Sequence, residues 1–192
     1  VKEADIGVAM GITGTDVTKE VSDMVITDDN FASIVAAVEE GRGIYDNIRK
    51  FIHYLLSCNA GEILVMFVAS LFKLPLPLLP IQILWVNLVT DGLPALALGV
   101  DPIDKKIMQR PPRMKNESVI SWQMGGTMLM QGAFIAFCSL LAFYLVYFVE
   151  GEGIERARTA SFIVLACSQL FHSFNCRSTH ESIFTLGFLT NS

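Results

Sequence analysis

Apolar and polar positions divide the chain into a mixed N-terminal part and a series of long apolar stretches. Within residues 1–41, the short apolar runs at 6–10 and 24–27 predict two buried strands. The polar stretch at 16–23 between them is compatible with a helix, and the residues before Phe31 carry side-chain oxygens suited to capping another. This strand–helix–strand–helix order is typical of the edge of an α/β domain.

The remaining apolar stretches predict membrane-spanning helices, each of which needs about 20 apolar residues. Residues 31–72 contain no proline and predict one long helix, polar at first and apolar from Phe51 onward. We expect one irregularity in it, at Gly41-Arg42-Gly43. The proline-rich segment 73–80 should end this helix. The sequence predicts four spans, at about 51–72, 81–100, 123–149 and 159–176.

The predicted fold class is therefore mainly α: a multi-span transmembrane helix bundle with a short α/β remnant at the N-terminus. We expect two domains, at residues 1–41 and 42–192. Composition agrees, since hydrophobic residues make up 52% and charged residues 17%, with a mean hydropathy of +0.49. Such a balance is typical of chains with lipid-facing surface.

Charge excludes one class of partner and orients the chain. The net charge is −5, and the chain has no basic run with interleaved aromatics, so we expect no nucleic acid partner. The loop 101–121 holds most of the basic residues that lie between spans: Lys105, Lys106, Arg110, Arg113 and Lys115. By the positive-inside rule this loop is cytoplasmic, and so are residues 1–50, two spans away. The four cysteines lack CxxC spacing, so we expect neither a disulfide framework nor a zinc site and predict apolar packing.

Polar side chains inside two predicted spans are the candidate functional residues, because such groups are costly in a membrane. Asn59 and Glu62 are three positions apart and share one helix face. Asn87, Thr90 and Asp91 share a face of the next span. Their alternative role is to hold helices together through hydrogen bonds.

Two features favour a cation site over that alternative. Pro94 cannot donate to the carbonyl of Thr90, so the helix should loosen there. Exposed carbonyls at membrane depth are tolerated where they line a cavity or bind a ligand. The five side chains offer about five to seven hard oxygen ligands, close to the number that Ca²⁺ takes, and no His or Cys joins them. The carboxylates of Glu62 and Asp91 would repel unless a cation or protons lay between them.

Other polar and small residues give weaker indications. Gly125, Gly126 and Gly132 favour close helix packing. Gln169 and His172 belong to a polar stripe on the last predicted span, and for His172 we expect an interhelical hydrogen bond or an interfacial position.

Several segments resemble the P-type cation pumps. The runs IGVAMG at 6–11, GTDVTK at 14–19 and DDNF at 28–31 are similar to the end of their phosphorylation domain. Residues 38–51 resemble the stalk that leads into the fifth membrane helix. The motifs NAGE at 59–62 and LWVNLVTDGLPALALG at 84–99 are similar to the fifth and sixth helices of the calcium-transporting subgroup. Asp101-Pro102 and 108–113 match its cytoplasmic loop.

This resemblance implies roles for individual residues. Asn87 and Asp91 match ligands of the calcium site shared by one-ion and two-ion pumps, and Asn59, Glu62 and Thr90 match the additional site. The additional site usually includes an acidic residue from the eighth helix, and Arg177 lies close to where that acid would fall. A guanidinium there would replace a cation, so we expect Arg177 to modulate the site and the pump to move one Ca²⁺ per cycle.

The resemblance further implies ATP-driven export of Ca²⁺ from the cytoplasm across a lipid bilayer, the plasma membrane, with H⁺ returning. The sites for ATP and Mg²⁺ and the phosphorylated aspartate would lie in upstream domains of a longer protein. No catalytic or cofactor-binding residue is expected in this chain. A pump for Mn²⁺ or another cation is the alternative within the same family, and a non-catalytic membrane or assembly module is the alternative outside it.

Overall fold

The computed structural model describes residues 1–104, 106–113 and 118–177. It divides into two compact units, one formed by residues 1–43 with 103–111 and the other by 44–102 with 112–192. Of the basic residues expected in the cytoplasmic loop, Lys105 and Lys115 lie outside the described residues.

The first unit contains the strand–helix–strand order that the sequence predicts. Strand β1 (Val8–Met10) is followed by helix α1 (Asp16–Glu20) and strand β2 (Met24–Ile26). The strands are parallel, with Ala9 opposite Val25. Parallel strands require a crossover, and α1 provides it.

The carboxylate of Asp29 organises the loop after β1. It accepts hydrogen bonds from the backbone N–H of Ile12 at 2.9 Å, from the backbone N–H of Thr13 at 2.7 Å and from the Thr13 hydroxyl at 2.7 Å. Asp29 has a φ of +50°, a left-handed conformation that aspartate tolerates better than most residues. These hydrogen bonds, with Ile12 contributing most, hold the pKa of Asp29 below its ordinary value.

Helix α2 (Phe31–Leu71) has 41 residues and is continuous. Its start is fixed by Asn30, whose Oδ1 accepts from the Ala32 N–H at 3.0 Å. The irregularity expected at Gly41-Arg42-Gly43 is wrong, since helix runs through all three residues. A glycine lowers helix stability by about 1 kcal/mol. The continuous backbone hydrogen bonds of a 41-residue helix offset that cost. In the first unit, Arg42 also donates to the carbonyls of Ile107 and Arg110.

The second predicted span is a broken helix, as expected from Pro94. Helix α3 (Pro80–Trp85) continues into a π-helical segment (Val86–Asp91) and then into helix α4 (Gly92–Gly99). The wider π-helical turn begins two turns before Pro94 and ends just before α4. All three residues predicted to bind a cation from this span lie in the π-helical segment.

Two longer helices follow. Helix α5 (Trp122–Tyr144) ends in a second π-helical segment (Leu145–Val149), and α6 (Ile154–Asn175) is the last described helix. In the described part of the chain, three stretches are long and apolar enough to cross a membrane: Phe31–Leu71, Pro80–Gly99 and Trp122–Val149. Helix α6 is not among them, so the fourth span stays a prediction.

Two apolar clusters form the core of the second unit. One contains Val65, Val86 and Leu165, and the other contains Tyr54 and Cys58. On α2, Glu62 comes between Cys58 of one cluster and Val65 of the other. The candidate cation ligand on this helix therefore has an apolar layer on each side.

Helices α2 and α5 approach closely at Gly132. A Cβ added there would lie 2.8 Å from the Ser57 carbonyl oxygen and 3.0 Å from the Gly61 nitrogen. The prediction that Gly132 serves close packing is thus confirmed. The same prediction is wrong for Gly125 and Gly126, because no described atom lies within 4 Å of a Cβ added at either position.

Candidate cation site

Glu62 lies at the meeting point of three helical segments. Its side chain is only 5% exposed. Its Oε2 accepts a hydrogen bond from Asn87 Nδ2 at 2.7 Å, and its Oε1 accepts one from Gln169 Nε2 at 2.9 Å. Glu62 thus connects α2 to the π-helical segment and to α6.

Asp91 ends the π-helical segment and is 1% exposed. The Tyr54 hydroxyl lies 3.3 Å from Asp91 Oδ1 and 3.1 Å from the carbonyl oxygen of Thr90. That carbonyl is the one to which Pro94 cannot donate. A side chain of α2 therefore compensates for the hydrogen bond that the proline removes.

Two buried acceptor oxygens at this site have no hydrogen-bond partner within the described residues. They are Asp91 Oδ2 and Gln169 Oε1. Leaving such a group unpaired typically costs about 1–3 kcal/mol. Both are hard oxygen atoms, one anionic and one neutral, as calcium and magnesium ions prefer.

The two asparagines contribute differently. Asn87 is exposed and donates both to Glu62 and to the carbonyl of Ile83, at 3.0 Å. Its donating nitrogen is engaged, which leaves the amide oxygen as the atom for a cation. Asn59 is half-buried and donates to the carbonyl of Leu55, one turn earlier in α2, at 2.9 Å. Asn59 thus lies three positions before Glu62 on α2, while its hydrogen bond stays within that helix.

Arg177 does not take the position expected of it. Its guanidinium donates to Asp101 Oδ1, from Nε at 3.2 Å and from Nη2 at 3.0 Å. Lys50 binds the other oxygen, Oδ2, at 2.9 Å. The residue of α6 that reaches Glu62 is Gln169, eight positions earlier and therefore about 12 Å away along the helix.

Sequence reasoning did not assign two participants, Gln169 and Tyr54, to the site. Gln169 is fully buried, and its place in the polar stripe of the last predicted span was a signal for a buried contact. Tyr54 gave no comparable signal, because tyrosine is common in half-buried helix positions. For neither residue does the sequence indicate which side chain on another helix it contacts.

The arrangement has the chemistry of a site for a hard cation. Two buried carboxylates supply negative charge, and amide oxygens and a loosened helix supply neutral ligands. Thr90 belongs to the same π-helical segment as Asp91 and is also buried, with 3% of its surface exposed. Carboxylate, amide and carbonyl oxygens are the ligands that Ca²⁺ takes in proteins.

Comparison with known proteins places the chain among ion-transporting ATPases. Residues 75–192 match the family model described as "Cation transporting ATPase, C-terminus". The chain is 55% identical over 185 residues to the "Calcium-transporting ATPase" of Bacillus subtilis, which covers 96% of this chain and 21% of that protein. It is 40% identical over 190 residues to "Calcium-transporting ATPase type 2C member 2" of Homo sapiens. This match covers 99% of this chain and 20% of that protein.

A third relative, "Calcium-transporting ATPase 1" of Saccharomyces cerevisiae, is 40% identical over 190 residues, covering 99% of this chain and 20% of that protein. The chain thus spans about a fifth of the length of the curated relatives it matches. The family match extends from the loop before α3 to the last residue and contains the π-helical segment with Asn87, Thr90 and Asp91. From this match and the geometry of the site, the chain belongs to the family of cation-transporting ATPase C-terminal regions.

Proposed function

We propose that this chain is part of a P-type pump that uses ATP to export Ca²⁺ from the cytoplasm, and that it supplies cation ligands without hydrolysing ATP. The relatives that bear the name calcium-transporting ATPase support this function. ATP and Mg²⁺ would be bound by upstream domains of the longer protein. The proposed ligands are the five predicted ones: Asn59, Glu62, Asn87, Thr90 and Asp91.

The observation that carries the proposal is the pair of unpartnered acceptors, Asp91 Oδ2 and Gln169 Oε1, beside a Glu62 that already accepts two hydrogen bonds. Buried anions are stable only when paired, protonated or bound to metal. Among the described residues this cluster holds two carboxylates and no Lys or Arg bonded to either one. A divalent cation would neutralise both.

Proton counter-transport follows from the same charges. When the cation leaves, two buried carboxylates in a low dielectric would repel each other and lose solvation. Binding of protons relieves both costs. We therefore propose that H⁺ replaces Ca²⁺ at Glu62 and Asp91 during the return half of the cycle.

We propose that the pump moves one Ca²⁺ per cycle. Because Arg177 pairs with Asp101, we infer this from Gln169 instead. The α6 residue that contacts Glu62 is the neutral Gln169, so this helix adds a ligand oxygen without adding charge. A second divalent ion would need further carboxylates. Counting bound calcium per phosphoenzyme in the full-length protein tests this, and two ions would contradict it.

For orientation, we propose that residues 1–50 and 101–121 are cytoplasmic in a plasma membrane, with the lipid bilayer as the partner of the apolar helices. The charge asymmetry of the loops supports this orientation. Protease cleavage of the 101–121 loop from the cytoplasmic side of sealed vesicles would test it, and cleavage only from the opposite side would contradict it.

The decisive experiment replaces Asp91 by Asn in the full-length pump. The amide keeps the volume and removes one of the two charges, so we expect calcium-dependent phosphorylation from ATP to be abolished. Asp16→Asn is the matched control, because the Asp16 side chain is fully exposed in the first unit and should leave phosphorylation unchanged. Native phosphoenzyme levels in Asp91→Asn would refute the proposal. Activation by Mn²⁺ at lower concentrations than Ca²⁺ in the native protein would favour the manganese alternative.

A further inference from the structure

A second group of metal-ligating side chains lies away from the oxygen cluster. His53 on α2, His172 near the end of α6 and Cys176 just after it place their ligating atoms within 4.8 Å of one another. The three residues are 8%, 5% and 3% exposed, respectively. His53 is nine residues before Glu62, or about 13–14 Å along α2. None of the three residues is a proposed calcium ligand, although the ring of His172 lies 6.1 Å from that of Tyr54, whose hydroxyl contacts Asp91.

The distances within the group suit a tetrahedral metal. Cys176 Sγ lies 3.4 Å from His172 Nε2. Zinc bonds of about 2.0–2.1 Å to nitrogen and about 2.3 Å to sulfur put two tetrahedral ligand atoms about 3.5 Å apart. The 3.4 Å contact already matches this value. Side-chain shifts of about 1 Å bring a ligand atom at the 4.8 Å limit to the same spacing.

The ligand types select the class of metal. Two imidazoles and a thiolate are borderline-to-soft ligands, which favour Zn²⁺ and its analogues over Ca²⁺ or Mg²⁺. Three protein ligands leave a fourth position for water. A cleft of about 440 Å³ between α5 and α6 has His172 and Gln131 among its lining residues, so it reaches one ligand of the group.

An outer contact supports the same assignment. His53 Nε2 lies 2.7 Å from Gln131 Oε1. Because Gln131 Oε1 can only accept, His53 donates from Nε2 in this contact, and an ion would bind through Nδ1. Metal-bound histidines typically make such a contact, and losing it usually weakens metal binding about 10–100-fold.

We propose that His53, His172 and Cys176 form a binding site for Zn²⁺ or a similar thiophilic divalent ion, which connects α2 to the end of α6. One ion held by both helices fixes their separation at this level. Binding would therefore slow any transport step in which α2 moves relative to α6. This consequence for transport rests on the proposed function, whereas the site itself does not.

Cobalt(II) gives a direct test of the site, because its bond to a thiolate produces a charge-transfer absorption. The full-length protein, freed of metal with a chelator, is titrated with Co²⁺ and then with Zn²⁺. We expect a thiolate band that zinc displaces. Cys176→Ser should lose the band, and His172→Gln should weaken Co²⁺ binding by about ten-fold or more.

Cys167→Ser is the matched control, because Cys167 is an exposed cysteine on α6; it should keep the band. A band that survives Cys176→Ser, or no band in the native protein, would overturn the proposal. Asp91→Asn should keep the thiolate band, since Asp91 is not one of the three ligands, and loss of the band in that variant would contradict the assignment of ligands.

A second measurement tests the effect on transport. Zinc should inhibit calcium-dependent ATP hydrolysis of the native pump, and Cys176→Ser should need about ten times more zinc for the same inhibition. Equal zinc sensitivity of the two proteins would refute the proposed link between α2 and α6. Absence of calcium-dependent hydrolysis in the native protein would count against the calcium function alone, because the cobalt band is read independently.

Discussion

The contact between α2 and α5 at Gly132 offers a sharp test of the fold around the candidate site. We consider Gly132→Ala, which adds one methyl group. The added Cβ would lie 2.8 Å from the Ser57 carbonyl oxygen, 3.0 Å from Ala60 Cβ and 3.0 Å from the Gly61 nitrogen. These atoms are backbone or Cβ atoms, so no flexible side chain can move aside.

The magnitude follows from these distances. Ordinary contacts of a Cβ begin at about 3.4 Å, so the two helices must separate by roughly half an ångström. A shift of that size loses part of the dispersion energy along the whole contact, and over-packing a tight interface costs about 1–3 kcal/mol. Since Gly61 directly precedes Glu62, we also expect weaker calcium binding.

Gly126→Ala is the matched control on the same helix. A Cβ there meets no described atom within 4 Å, and both variants gain the same helix propensity, up to about 1 kcal/mol. The comparison therefore isolates the steric term. In full-length protein purified in detergent, we expect the thermal unfolding midpoint of Gly132→Ala to fall clearly below that of Gly126→Ala. Equal midpoints would show that α2 and α5 do not pack as described.

Three further predictions concern other contacts. Replacing Asp101 by Asn leaves Lys50 and Arg177 without their carboxylate partner, so we expect the protein to lose about 3 kcal/mol of stability. The loss is measured as a lower thermal unfolding midpoint. An unchanged midpoint would contradict the pairing. Tyr54→Phe should cost about 1–3 kcal/mol, with a smaller loss in saturating calcium, because a bound ion would take over the interaction with Asp91; equal losses with and without calcium would argue against that ligand. The pKa of Asp29 is lowered first by the Ile12 N–H, so the stabilisation of the loop by its carboxylate is present above the unfolded pKa of about 3.9 and is lost as the pH falls through the lower folded value. Protection of the loop amides from hydrogen exchange, relative to the intrinsic rate at each pH, should therefore fall across that range in the native protein. In Asp29→Asn this protection should already be lower at pH 7 and should not depend on this titration.

Features that depend on neighbouring residues were predictable from the sequence. The two strands, the start of α2 near Phe31 and the loosened helix before Pro94 each depend on local patterns or on the missing N–H of proline. The irregularity at Gly41-Arg42-Gly43 failed for a related reason. Local glycine propensity is weak, and the surrounding helix overrides it.

Contacts across the bundle were much less predictable. The hydrogen bond from Gln169 to Glu62 joins residues 107 positions apart. Periodicity shows which residues share a helix face, but the partner depends on how each helix is rotated and shifted against its neighbours. On the last helix, the sequence drew attention to Arg177, which bonds Asp101, whereas the contact with Glu62 is made by Gln169, about two turns earlier.

The pattern of satisfied and unsatisfied groups distinguishes ion binding from helix association. Where buried polar residues only hold helices together, nearly every donor and acceptor finds a partner, because an unpaired buried group costs more than a typical hydrogen bond contributes. Glu62 follows that rule on both oxygens. Asp91 Oδ2 and Gln169 Oε1 break it, and both are acceptors. A surplus of buried acceptor oxygens beside two carboxylates is the arrangement that a cation stabilises and that a hydrogen-bonded contact would not leave in place.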